Sequence, residues 1–301
     1  MQQESITVII PTYKHDGRLE DLLELVCSLY AHSNIKYIKE ILLIDNGDSL
    51  VLNTDIGQFK GYNKVKVIKE KNIGLNYARN TGVIEAKTNI IAFLDDDVVV
   101  SEHWAENILR GYNKKDIMCV GGSVFIKDKD TKKWPIWFSD YFLGFLLPPK
   151  FPEYAGHIFS PYYLIGANMS FNKEAFKRFG MFDPDLDRKG SNLLSNGDTE
   201  FLIRIPLDLV WYEPLAMVWG KIKEKRLTRV FMIRRLFWQG ISDYIMVQKR
   251  GSENFYDKKE VYFTSIFFKK VFIAVIDGNF FEAFCYFVRL FSYKFAFLYK
   301  K

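Results

Sequence analysis

The residues of this chain best placed to do chemistry are carboxylates that close apolar runs. The run IIAFL, residues 90–94, ends in Asp95, Asp96 and Asp97. Three adjacent like charges repel, so the triplet reads in two ways. It is a solvated turn at a strand end, where Asp is common, or an oxygen-ligand cluster for a hard divalent cation such as Mg2+ or Mn2+. On extended backbone successive side chains alternate, which would set Asp95 and Asp97 on one face and turn Asp96 away.

Asp45 closes the run IKEILLI in the same way, as a turn former or as an acceptor for a nucleobase imide or ribose hydroxyl. In NIGLNYARNTG, residues 72–82, Arg79 falls about one turn into an expected helix, where it could meet a phosphate. The spacing is not the G-x-G-x-x-G fingerprint of a dinucleotide site. In NGDTEF, residues 196–201, Asp198 and Glu200 are either a solvated loop pair or carboxylates projected into a cleft, one of them a general base.

The elements that must position these groups are legible from periodicity. Through residue 125, apolar runs (SITVIIP, IKEILLID, KVKVIKE, TNIIAFLD, MCVGGSVFI) alternate with helical patterns around Leu19 to Tyr30, Leu75 to Ala86 and Glu102 to Tyr112. Strands separated by such helices predict βαβ units and a doubly wound, mainly parallel α/β sheet. Ligands of these sheets bind beyond the carboxyl ends of the strands, where Thr12, Asp45 and Asp95 to Asp97 all fall. Residues 126–160 break the alternation and read as an irregular, mobile insert. YLIGANMSFNKEAFKRF predicts a strand and a short helix capped by Asn172, followed by a polar loop, DRKGSNLLSNGDTEF. The division expected is 1–125, a nucleotide-binding half; 126–220, an acceptor-binding half with the insert; and 221–301, a helical, basic and aromatic region.

Composition bounds the rest. Of the 301 residues, 49% are hydrophobic, 26% charged and 17% aromatic, the last being high for a globular chain. The net charge of +6 is polarised: residues 221–301 hold 17 Lys/Arg against 7 Asp/Glu, leaving −4 for the first 220. A basic, aromatic end suggests an anionic surface. Cys27, Cys119 and Cys285 lie in apolar settings without ligand spacing, which predicts buried, reduced thiols of an intracellular protein, and no secretory leader pattern opens the chain.

The motifs VIIPTY, LLIDNG, NIGLNYARNTG, FLDDD, GANMSF, NGDTEF, YEP and RRLFWQG, in this order over residues 5–245, resemble the family 2 glycosyltransferases, inverting enzymes with the GT-A fold. The resemblance implies a nucleotide-sugar donor, UDP-linked, and a saccharide or lipid-linked acceptor in surface polysaccharide or glycoconjugate synthesis. It places Thr12, Tyr13, Asp45, Arg79, Asp95 and Asp96 with the nucleotide, and Asp97 with Asp95 on a Mn2+ or Mg2+ ion. It makes Asp198 the base, and sets Gly166, Ala167, Asn168 and Glu200 near the acceptor or donor sugar. Two positions depart from the pattern. Gly197 stands where relatives carry a Glu before the base, and Gly220 where many carry a His that can ligate the metal. These departures motivate a second reading, a degenerate, non-catalytic nucleotide-sugar-binding or membrane scaffold protein. A sugar-phosphate nucleotidyltransferase would need a Gly-rich signature near the first strand, which is missing.

Residues 280–298 approach the length of a membrane span, but Glu282, Arg289 and Lys294 interrupt them. A pair of amphipathic helices split at Asp277-Gly278-Asn279 is expected instead, packed on the domain or lying on a membrane surface. The expected location is cytoplasmic, peripheral on the inner face of the cell membrane. No nucleic-acid-binding motif is present.

Overall fold

A computed structural model describes residues 4–13, 19–31, 34–47, 59, 61–127, 132–146, 153–158, 164–190, 192–250 and 260–300. Its elements in chain order are β1 (Ile6–Thr12), α1 (Leu19–Tyr30), α2 (Asn34–Tyr37), β2 (Ile38–Asn46), β3 (Val65–Glu70), α3 (Leu75–Glu85), β4 (Ile90–Leu94), β5 (Val98–Val100), α4 (Trp104–Tyr112), β6 (Cys119–Ile126), α5 (Asp140–Leu143), β7 (Gly156–His157), β8 (Asn168–Asn172), α6 (Lys173–Phe179), α7 (Gly197–Ile203), β9 (Val210–Gly220), α8 (Arg229–Arg250), α9 (Glu260–Ile276) and α10 (Phe280–Phe295). They divide between two compact units. The first comprises Met1–Lys129, Leu147–Pro184 and Asp198–Lys221; the second Asp130–Leu146, Asp185–Gly197 and Ile222–Lys301.

The first unit is built on a sheet of order β3-β2-β1-β4-β8-β6-β9-β5, with β7 on β9. The half β3-β2-β1-β4 is parallel, as the alternating runs predict. Beyond it the sheet is mixed: β8 runs antiparallel to β4 and β6, β6 pairs parallel with β9, and β5 returns antiparallel on β9. Strand β1, ITVIIPT, is buried at all seven positions because helices cover both faces of the sheet. Ile6, Val8 and Ile10 face a core shared with Leu22, Leu25, Val26 and Leu29 of α1; Ile9 faces the other, with Ala78 and Val83 of α3 and Phe93, Phe171 and Phe201. A Cβ at Gly82 would lie 2.4 Å from Ile9 Cγ2, so glycine there lets α3 sit directly on β1. Asn172 caps α6 as expected, its side chain accepting from the Glu174 amide at 3.0 Å.

The second unit is helical, and the predicted split is present: α9 ends at Ile276 and α10 begins at Phe280, with Gly278 at φ +72° between them. Phe142, Met232, Leu236 and Cys285 form its centre. Part of the expected mobile insert belongs here. Residues 132–146 are packed into this core, with Trp137 edge-on to Phe281 at 5.0 Å and Tyr141 stacked on Tyr286 at 4.0 Å, because their aromatic side chains have apolar partners to meet. Residues 128–131, 147–152 and 159–160 of that insert lie outside the described residues. A buried polar network runs through the same unit. Arg289 donates twice to Asp243 Oδ2 at 2.9 and 2.7 Å, and Gln239 and Asn196 donate to Asp243 Oδ1 at 2.8 and 3.0 Å.

Three expectations need correction. The loop ending in NGDTEF is helical from Gly197, so Asp198 and Glu200 project from the first turn of α7. Cys27 is exposed, its Sγ 2.9 Å from the Tyr62 hydroxyl, because α1 buries its 22-25-26-29 face and residue 27 lies off that stripe. Cys119 and Cys285 are buried, and burial pushes both thiols up, Cys285 to about 12. Lastly, the extended backbone invoked for the Asp triplet stops at Leu94; Asp96 and Asp97 form a turn into β5.

Candidate active site

Strand register gathers the predicted residues at one edge. Thr12, the last residue of β1, pairs directly with Asp45 on β2, and β4 lies on the other side of β1, also parallel. The C-terminal ends of β2, β1 and β4 therefore open on the same side, and the strand order reverses between β1 and β4, where a crevice forms in sheets of this kind. Asn168, the first residue of β8, pairs antiparallel with Leu94, which sets the preceding Gly166 and Ala167 beside the end of β4. Across β5, Gly220 pairs with Val98, and the Lys221 amide donates to the Asp97 carbonyl at 3.2 Å.

Several of these groups are buried in spite of their polarity. Asp45, Asp96 and Asp97 are buried and Asp95 half-buried, so the triplet is neither a solvated turn nor an alternating strand. Tyr13 is half-buried, and a Cβ on Gly47 would strike its ring at 2.6 Å; glycine at that position, φ +123°, lets the chain after Asp45 fold close against the tyrosine. Thr12 Oγ1 and Arg79 Nε are buried and meet no hydrogen-bond partner among the described residues. Each such orphan costs on the order of 1–3 kcal/mol. An edge that leaves a hydroxyl and a guanidinium N–H unsatisfied is shaped for a ligand that supplies acceptors.

Arg79 is held by its own helix. Its Nη1 donates to Asn76 Oδ1 at 3.2 Å, and the guanidinium lies 5.4 Å from the Phe182 ring centre. Asn76 in turn donates to the Asp183 carbonyl at 2.8 Å, and Asn80 donates to the Phe182 carbonyl and accepts from its amide at 2.9 and 3.0 Å. Asn46 ties the end of β2 to the start of α3, donating to Asn72 O at 2.6 Å and accepting from Gly74 N at 2.7 Å. Sequence reasoning gave these three asparagines no role. The signal was available, since Asn46 sits inside the DNG motif and Asn76 and Asn80 lie one helical turn apart.

Arg79 and Asp198 converge on Gly166. A Cβ built on that glycine would stand 2.2 Å from Arg79 Nη2 and 2.9 Å from Asp198 Oδ2, and the Gly166 amide donates to Asp198 Oδ2 at 3.0 Å. The other carboxylate oxygen accepts from Thr199 N at 2.9 Å. Two backbone donors thus fix the rotamer of a half-buried carboxylate beside a buried cation.

Other predicted residues are not brought into this cluster. Asn168 is fully buried; its amide nitrogen donates to Ser123 O and Ala216 O at 2.9 and 2.8 Å, and its oxygen accepts from Trp104 Nε1 at 2.9 Å. With both donors spent inside the sheet it knits strands together. Ala167 is part of the core. Glu200, two residues past Asp198 and so turned to another face of α7, is fully buried and paired with Arg204 at 3.0 Å. Arg204 also donates to Phe179 O and Met181 O, and burial lowers its guanidinium to about 10. Glu200 is therefore a packing partner of Arg204.

Among the described residues no three His, Cys, Asp or Glu side chains form a cage able to hold a metal ion. His103 pairs with Glu106 at 3.2 Å and His157 meets the Val210 carbonyl at 3.1 Å. The donors at the edge are the carboxylates of Asp95 to Asp97, an oxygen set that fits an ion shared with a diphosphate, as Mg2+ commonly is. Gly220 leaves room beside them: a Cβ there would meet nothing closer than Val98 Cγ1 at 3.7 Å.

A sheet with this edge is the frame of GT-A transferases. The crystal structure of GalNAc-T7 with UDP, GalNAc and Mn2+ superposes with a TM-score of 0.55 at 17% identity, over 81% of this chain and 51% of that one. The mannosyltransferase PcManGT from Pyrobaculum calidifontis, in complex with GDP-Man and Mn2+, gives 0.53 at 15% identity, over 83% and 65%. The chain belongs to glycosyl transferase family 2, whose model matches residues 7–180. Among curated relatives, the glucosyl-dolichyl phosphate glucuronosyltransferase of Haloferax volcanii is 27% identical over 249 residues, 80% of this chain and 77% of the relative. N-acetylgalactosaminyltransferase 7 of Drosophila melanogaster is 28% identical over 200 residues, 60% of this chain but 34% of the relative.

Proposed function

We propose that this glycosyltransferase moves a sugar from a nucleotide diphosphate donor, UDP-linked, to a lipid-linked saccharide acceptor at a membrane surface, with inversion at the anomeric carbon. The observation that carries the reading is the convergence of buried Arg79 and the oriented Asp198 on Gly166, beside a strand edge where Thr12 Oγ1 and Arg79 Nε meet no partner among the described residues.

Thr12, Tyr13 and Asp45 hold the nucleoside, Asp45 accepting from base or ribose, while Arg79 meets phosphate oxygen. Asp97, with Asp95, would hold Mn2+ or Mg2+ jointly with the donor diphosphate, and such an ion supplies positive charge to the leaving group. Asp198 takes the proton of the acceptor hydroxyl as that oxygen attacks from the face opposite the diphosphate, which inverts the centre. The Gly166 and Thr199 amides keep the carboxylate in place for this transfer. The names of the relatives support the chemistry: the solved neighbours hold UDP or GDP-Man with Mn2+, and a curated relative acts on glucosyl-dolichyl phosphate.

The test is nucleotide release from UDP-, GDP- and dTDP-sugars with Mn2+ or Mg2+, with and without a glycosylated lipid phosphate. Acceptor-dependent release of UDP supports the reading. Nucleotide binding without release from any donor would instead favour a non-catalytic nucleotide-sugar-binding protein, the reading that Gly197 and Gly220 motivate.

A further inference from the structure

Arg79 is the most buried arginine among the described residues, 4% exposed, and no carboxylate among them pairs with it. Two arginines that are less deeply placed are matched: Arg204 pairs with Glu200 at 3.0 Å, and Arg289 with Asp243 at 2.7 Å. A buried cation without an anion is costly, so Arg79 stands out. What it has instead is Asn76. The two lie three positions apart on α3 and so share a face. Arg79 Nη1 donates to Asn76 Oδ1 at 3.2 Å, and the Asn76 amide nitrogen donates to the Asp183 carbonyl at 2.8 Å. That carbonyl can only accept, which fixes the two ends of the amide and turns Oδ1 to the arginine. The Phe182 ring, 5.4 Å from the guanidinium carbon, is itself held where Asn80 bonds the Phe182 amide and carbonyl. With Nη1 spent, the donors left are Nε and Nη2, which share one edge of the planar fork with their N–H bonds parallel. Nε is buried and meets no partner among the described residues, and Nη2 fills the space that a Cβ on Gly166 would take, 2.2 Å from it.

We propose that Asn76 is a positioning residue of the donor site: by taking Nη1 it commits the Nε–Nη2 edge of Arg79 to one phosphate of a nucleoside diphosphate, through two parallel hydrogen bonds. This rests on the reading of the donor as a nucleotide diphosphate sugar, and names how its phosphate is held. A phosphate presents two oxygens that match that edge, and brings the negative charge that Arg79 does not find in the protein. Contact through Nη2 alone would leave Nε buried and unbonded. Asn76 touches no ligand in this arrangement. It acts through the guanidinium, whose last torsions would otherwise turn freely and present any of three edges, at a cost in alignment when the diphosphate enters.

A double-mutant cycle on the full chain tests it, read as dissociation constants for UDP and GDP by calorimetric titration with Mn2+ present. Asn76→Ala should weaken binding of the preferred diphosphate about tenfold, and Arg79→Ala by more. Asn76→Ala/Arg79→Ala should bind as Arg79→Ala does, within about a factor of two, because Asn76 has nothing left to orient. A merely structural asparagine would give losses that multiply, and that result overturns the proposal, as does wild-type affinity in Asn76→Ala. Arg79→Lys keeps the charge but cannot offer two parallel donors, and should lose at least about tenfold. Wild-type affinity in Arg79→Lys overturns the proposal too, which keeps the test decisive if Asn76→Ala does not fold. Sugar-dependent nucleotide release separates this outcome from that of the enzyme. The expected cycle without release from any donor defeats the transferase reading alone, and release with an additive cycle defeats the role of Asn76 alone. Failure of the wild type to bind either diphosphate defeats both.

Discussion

The amide of Gly166 donates to Asp198 Oδ2 at 3.0 Å, across 32 residues of sequence, and the glycine's missing Cβ is what lets Arg79 approach the same point. Gly166→Ala would put a methyl 2.2 Å from Arg79 Nη2, at the tip of a side chain that can shift, so the fold should survive. Turnover should fall at least about tenfold as the two charged groups are pushed apart. An unchanged melting temperature with reduced kcat is the expected pair of measurements.

Asp198→Asn keeps the size of the side chain and one of its two accepting oxygens, gives up one of the two backbone hydrogen bonds, and cannot accept a proton from the acceptor. Sugar transfer should drop by about 100-fold or more while the nucleotide dissociation constant stays within a factor of two or three. Calorimetric titration with UDP beside the release assay reads both. Loss of UDP binding in this variant would remove Asp198 from the role of base.

Gly220 has space beside Asp97, so Gly220→His should fold and present an imidazole to the edge. Mn2+ should then support UDP binding at lower concentration than in the wild type, and Asp97→Asn should raise the requirement in both backgrounds. Equal Mn2+ dependence of wild type and Asp97→Asn would show that the ion, if used, sits elsewhere.

Glu40 governs part of the acid stability of the first unit. Burial pushes its carboxyl up, but hydrogen bonds from Lys66, the Lys87 amide and Thr7 outweigh it and the net shift is downward from 4.5. A carboxyl whose folded value is depressed contributes stability that is complete above the unfolded value and disappears as pH falls through the folded one. Urea midpoints from neutral pH down through this range should fall less steeply in Glu40→Gln than in the wild type, because the variant has already lost that contribution.

Removing Asp243 leaves Arg289 buried without its partner carboxylate, which typically costs roughly 3–5 kcal/mol. Asp243→Ala should lower the urea midpoint by a corresponding amount. Asp243→Leu combined with Arg289→Met should recover much of the loss, since a dry apolar pair of similar volume avoids the stranded charge.

Only one thiol should react readily. Cys27 is exposed, while burial raises Cys119 and Cys285. Alkylation of the native protein with iodoacetamide followed by peptide mass analysis should label Cys27 alone, and all three after denaturation.

The parallel half of the sheet was legible because its strands are unbroken apolar runs separated by helical periodicity, and the placement of Thr12, Asp45 and Asp95 to Asp97 at one edge follows from that topology. The inward or outward turn of individual polar side chains was not, because it depends on partners far along the chain. Asn168 is claimed by Trp104 and Ala216, and Glu200 by an arginine that in turn caps the carbonyls of residues 179 and 181. The mixed half escaped for a related reason: β5 is three residues long and owes its existence to β9. The exposure of Cys27, in contrast, was readable, since the apolar stripe of α1 leaves that position off the buried face.

That dependence of β5 on β9 has a consequence for how the protein is made. Val98 and Gly220 are 122 residues apart, and β9 is the strand on which β5 pairs. A ribosome that has released β4 and the aspartates has not yet released the strand that closes their turn. A nascent chain halted before residue 218 therefore carries the parallel half of the sheet with its acidic turn unclosed, and the carboxylates take up their final geometry only near the end of the first unit's synthesis.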